Sequence, residues 1–186
     1  MKSVEILIKE HDNILQMLDV LHQASIAIMR TGEVNTDDLR KMIEFIRNYA
    51  DRMHHGKEEE YLFQVMMKEL GRAAEKVVRN GMLVEHDLGR LYVSNLETAL
   101  IAFDKSPMDE NRWAVLVAAG SYEQLLRRHI DKENKVVFTF GANNLSAAAV
   151  KWIDEQVQAF EADGINEVER KKQLQVLAEL HSKYVK

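Results

Sequence analysis

The chain of 186 residues contains no cysteine. Disulfides, thiolate-held metals and cysteine nucleophiles are therefore excluded, and any metal must be held by nitrogen and oxygen donors. Proline occurs once, at Pro107, and glycine eight times. So few breakers over this length point to long helices, and no stretch carries a strand signal. No uncharged run approaches the roughly 18 residues a transmembrane helix needs, so no membrane partner is expected. The opening MKSVEILIKEHDN has no long apolar core and is charged again by Lys9, so no secretory leader is expected. The net charge of −5, with both signs interspersed, gives no basic stripe for nucleic acid. Nor is there a P-loop, a G-x-G-x-x-G after a strand, or a G-x-S-x-G element. A soluble, cytoplasmic protein is the default expectation.

What is present is an apolar fraction of 46 % and a charged fraction of 30 %, the balance of a globular chain with one sizeable core. Apolar residues recur every three or four positions. The spacing predicts helices over residues 3–30, with Ser3 as N-cap and Gly32 as stop, and over 36–70, with Thr36 capping. A third ends near Asp104, with Gly81 breaking off a short first segment, and a fourth covers 109–140. Short links favour an all-α, up-down-up-down four-helix bundle over residues 1–142. Helices over 146–162 and 167–183, parted by Asp163-Gly164, form a C-terminal hairpin (143–186) packed on the same domain.

An internal repeat carries the chemistry. Glu10-His11-Asp12 recurs as Glu85-His86-Asp87, 75 residues on. His54-x-x-Lys57-Glu58, with Phe63, recurs as His129-x-x-Lys132-Glu133, with Phe138, at the same offset of 75. Residues four apart share a helix face about 6 Å apart along the axis, so each His and Glu pair points one way. His11 and His86 each stand alone in an apolar stripe. Each half thus offers one His and one His/Glu pair, and a pseudo-twofold assembly gathers four imidazoles and two carboxylates. Such groups are costly to bury unpaired, and two divalent cations about 3.5–4 Å apart would satisfy them. Imidazole with carboxylate suits iron, zinc or manganese.

Any single histidine on an apolar face is more often a satisfied core residue. The alternative for Glu58 and Glu133 is an exposed i,i+4 pair. The shared frame argues against both. His55-x-x-x-Glu59 has the same spacing as His54-x-x-x-Glu58, but the repeat sets Ile130, not a histidine, opposite His55, so His55 is read as lying outside the ligands or at the surface. His22 lies three turns, about 16 Å, from His11, too far for one site. His181 is read as solvated.

The combination EHD…HHGKEEEYLF…EHDLGR…HIDKENKVVF resembles the hemerythrin-like, or HHE cation-binding, family over roughly residues 4–140. The resemblance implies a four-helix bundle with a non-haem di-iron site. It implies ligation by His11, His54, Glu58, His86, His129 and Glu133, with the two glutamates bridging. The oxygen carriers of that family add a histidine one turn away on the third helix, where this chain has Met82 and Arg90. They also place Asp five after the last histidine, where this chain has Asn134. The sequence therefore looks like the wider branch, with fewer imidazoles on one iron and an open position. The ferritin-like pattern, Glu-x-x-His with lone glutamates, does not fit.

The leading expectation is a protein that binds oxygen, nitric oxide or another diatomic at a di-iron centre, or handles iron, with Tyr122 read as ordinary core packing. A second reading is a di-iron enzyme acting on peroxide or nitric oxide. A third is a structural bundle, without metal or with zinc, whose hairpin docks a partner or forms a homodimer. Trp152 and Phe160 on the hairpin fit packing on the bundle better than such docking.

Overall fold

The computed structural model describes residues 1–185, which are almost wholly helical and contain no strand. Six helices follow in order: α1 (Lys2–Thr31), α2 (36–70), α3 (72–105), α4 (109–144), α5 (Ala147–Ala162) and α6 (Gly164–Tyr184). α1 stops at Gly32, which turns left-handed (φ 75°) and returns its N–H to the Ile28 carbonyl at 2.8 Å. α2 and α3 are parted at Gly71, whose φ of 62° and ψ of −144° suit glycine almost alone.

Four expected boundaries shift. Ser3 does not cap α1, because its hydroxyl is drawn to Asp154 of α5 (2.6 Å). Asn35 rather than Thr36 caps α2, accepting from the Asp38 amide at 3.0 Å. Gly81 breaks nothing and lies inside a continuous helix. α6 starts at Gly164, a turn earlier than expected, because the Asp163 carboxylate accepts from the amides of Ile165 and Asn166.

Cross-helix pairs give the topology. Lys57 meets Glu10 while Tyr49 meets Asn13, so α1 and α2 run antiparallel. Glu59 with His86 and Arg47 with Glu97 oppose α2 to α3, and His129 with Glu85 and Asn111 with Ala102 oppose α4 to α3. Asn134 with His11 and Glu123 with His22 close the ring between α4 and α1. The result is an up-down-up-down bundle. The hairpin packs against α1 and α2, burying Ile153, Val157, Leu177 and Leu180.

The core is in two parts. One cluster runs from Ile14, Met17 and Leu18 to Phe45, Leu96 and Leu126; the other gathers Leu7, Phe63, Met66, Val78, Phe138 and Ile153. Between them lies a layer of buried polar groups. Four helical stretches are widened to i→i+5 bonding: Ile46–His55, Glu58–Phe63, Val78–Met82 and Glu133–Val137. Such π-type turns shift the register of everything after them and recur at functional sites. Four residues that the helical spacing places on the inward stripes are in fact exposed: Ile8, His22 and Met29 of α1, and Val136, inside the last widened stretch.

Candidate metal centre

The polar layer contains all six residues singled out by the repeat, each no more than 1 % exposed. His11, His54, Glu58 and Glu133 form one group whose ligand-type atoms lie within 4.8 Å of one another, and His55, His86 and His129 form a second. His55 is therefore not at the surface. It is 5 % exposed, and its ring stacks on that of His86, with centroids 3.8 Å apart. The physical reason is the widened stretch ending at His55, where a smaller angular step per residue lets two consecutive side chains share the inner face.

Each of the five imidazoles has its Nδ1 committed outward. His54 donates to Glu10 at 2.9 Å and His129 to Glu85 at 2.9 Å, a matched pair in the repeat. His11 donates to the Asn134 side-chain oxygen at 2.8 Å and His86 to Glu59 at 2.7 Å, a second matched pair. His55 donates to Asp51 at 3.2 Å. Carboxylate or carbonyl acceptors on Nδ1 fix tautomer and ring orientation, and they leave Nε2 as the inward donor of a lone pair.

Those inward atoms converge. The Nε2 atoms of His11 and His54 are 2.9 Å apart, and those of His86 and His129 are 3.1 Å apart. Two facing lone pairs at this distance require a cation between them, a proton or a metal ion. Two nitrogens held at about 2.1 Å from one metal, at right angles, would stand about 3 Å apart.

The carboxylates span the two groups. Glu58 sets one oxygen 3.5 Å from His54 Nε2 and the other 3.6 Å from His86 Nε2. Glu133 sets one oxygen 3.2 Å from His11 Nε2 and the other 3.2 Å from His129 Nε2. All four oxygens are buried and none has a hydrogen-bond partner. Burial, then the facing Glu133 carboxylate, push Glu58 well above the usual carboxylate range. Burial and the neighbouring His86 push His55 down to about 3, leaving it a neutral donor. Unpartnered carboxylate oxygens facing nitrogen lone pairs are the donor set a pair of divalent cations would use, so the residues fit a binuclear metal.

A cavity of about 80 Å³ adjoins the second group, lined by Ile46, Asp51, His55, His86, Gly89 and Tyr122 among others. Tyr122 is buried, as expected, but it also faces this space, and burial, then the charge of Asp51, push its phenol upward. In the repeat frame Gly89, Asp51 and His55 correspond to Ile14, Leu126 and Ile130, all buried apolar residues. The bundle is thus open beside one group and filled beside the other. His22 stands apart on Glu123 at 3.1 Å.

Sequence reasoning missed the outward acceptors Glu10, Glu85, Glu59, Asp51 and Asn134. The first two were in plain sight as the acid of each repeated Glu-His-Asp. The doubled HH and EE of residues 54–59 was the signal for His55 and Glu59.

An all-helical bundle with a buried, two-part histidine and carboxylate cluster defines a class of metal-binding protein. The model of the Hemerythrin HHE cation binding domain matches residues 2–140, and the chain belongs to this family. No curated protein and no solved structure gives a significant match. No helix of the described residues is long and apolar enough to cross a membrane.

Proposed function

We propose that the chain holds two non-haem metal ions, iron in the family's manner, and uses them to bind a small diatomic such as oxygen or nitric oxide. The observation that carries this reading is the set of four buried, unpartnered oxygens of Glu58 and Glu133. His11 and His54 would hold the first ion and His86, His129 and His55 the second, with Glu58 and Glu133 available to both. His55 thereby supplies from α2 the third imidazole that oxygen carriers take from their third helix. A pair of irons supplies reversible redox chemistry toward such ligands. The chain's own residues do the rest: five outward Nδ1 bonds hold the imidazoles, and Phe138 and Phe63 stack on His11 and His86. The cavity beside the second position supports ligand access there, and Tyr122 is among the residues that line it.

The test is metal content and an optical spectrum on protein purified without chelator. About two irons per chain, with near-ultraviolet charge-transfer bands after exposure to air, is the expected result. His55→Ala should empty the second position and leave the first. No metal, and none taken up on anaerobic addition of ferrous iron, would refute the proposal. Catalytic consumption of peroxide or nitric oxide, instead of stoichiometric reversible binding, would favour the enzyme reading.

A further inference from the structure

Each half of the bundle builds the same three-residue chain. His54 donates to Glu10, whose other oxygen accepts from Lys57; His129 donates to Glu85, whose other oxygen accepts from Lys132. Every member is matched at the offset of 75. Their surroundings are not matched. The Lys132 side chain is 44 % exposed, so water screens its charge, whereas that of Lys57 is 0 % exposed. A fully buried ammonium needs more than one partner. Its second carboxylate comes from outside the family domain: Glu161, in the last turn of α5, also accepts from Lys57. Glu161 is held in turn by the Arg170 guanidinium of α6, and the Phe160 ring lies 5.4 Å from the Lys57 ammonium. The C-terminal hairpin therefore seals one Lys–Glu–His chain and leaves its twin open to solvent.

We propose that Glu161 is a positioning residue of the metal centre, acting through Lys57 and Glu10 on His54, so that the hairpin makes the two metal positions unequal. The inference rests on the metal-binding reading above. The physical argument is one of shared charge. With Glu161 present, the Lys57 ammonium is divided between two carboxylates, and Glu10 keeps its full strength as acceptor for His54 Nδ1–H. That strengthens His54 as a donor through Nε2. Without the Glu161 charge, the buried ammonium falls on Glu10 alone, and His54 becomes the weaker ligand. In the low dielectric under the hairpin this coupling is felt; at exposed Lys132 it is screened.

Glu161→Gln preserves shape and removes the charge. Two readouts test it on the full chain. In ferrous or zinc titrations, the variant should bind one metal as the parent does and the other about tenfold more weakly, within the range for residues that orient metal ligands. In the metal-free protein, the hydrogen-bonded Nδ1 proton resonance of His54 should move while that of His129 stays. Trp152→Ala, which alters hairpin packing against Tyr61 but not the charges, should leave both readouts as in the parent. Equal weakening of both metals, or an unmoved His54 resonance, would overturn the inference. If the parent itself binds no metal, the proposed function fails, and the proton resonances still decide whether Glu161 acts on His54.

Discussion

Glu58 is a carboxylate with no solvent exposure, no hydrogen-bond partner and a second carboxylate facing it. Such a residue is kept against the interest of folding. Replacing buried charges with apolar groups of like size is often stabilising by about 1–4 kcal/mol. Glu58→Met should therefore raise the melting temperature of chelator-treated protein while abolishing binuclear loading; a variant that melts lower without metal would contradict this account. One bond further out, Glu10→Gln and Glu85→Gln should each weaken metal binding about 10–100-fold at the position served by their own histidine. At this scale the sequence was largely legible, because His11, His54, Glu58, His86, His129 and Glu133 recur in one frame and all lie in the polar layer. His55 was legible only as the second member of the doubled histidines, because the frame that identified the others sets Ile130 at its matching position.

At the scale of the element, the number of helices and most of their inward stripes follow from apolar spacing and few breakers. The widened turns do not, since i→i+5 and i→i+4 bonding leave no distinct mark in composition. Capping was only half legible, because Ser3 spends its hydroxyl on Asp154 of another helix and Asn35, not Thr36, caps α2. Asp38 of α2 accepts from Lys183 and Tyr184, and so pins the end of α6. Burial raises its carboxyl, but those two hydrogen bonds outweigh burial and hold it below the usual carboxylate range. A depressed carboxyl contributes stability that is present above the unfolded value of about 3.9 and is lost as pH falls through the folded value. Asp38→Asn should cost about 1 kcal/mol at neutral pH, allowing for solvent screening at the half-exposed Lys183. The gap from the parent should narrow below about pH 4 in denaturant melts; a gap that does not change with pH would rule out the charge as its source.

For the whole molecule, metal and fold are linked. The polar layer divides the core into two apolar clusters, and without metal that layer is a seam of unsatisfied groups. A ligand that binds only the native state at a hundredfold excess over its dissociation constant adds about 2.7 kcal/mol. Chelation should therefore lower the calorimetric melting temperature, and restoring ferrous iron should raise it again; an indifferent melting curve would show that the seam is closed by protons alone. The grip of the hairpin on this layer was the least legible feature, because Lys57 and Glu161 meet across 104 residues of chain that no periodicity connects.

The offset of 75 residues has a consequence for descent. A centre whose halves repeat a lone histidine, a histidine and glutamate pair, the Glu10 and Glu85 acceptors and the lysines behind them has the pattern that fusion of two copies of one helical hairpin leaves behind. Two identical copies of such a hairpin would meet across a true twofold axis and present two identical sets of ligand residues. Joining the copies in one gene freed each to drift. The differences now visible, histidine against isoleucine at 55 and 130 and glycine against isoleucine at 89 and 14, coincide with a cavity beside one histidine group and with buried apolar side chains at the matching places beside the other.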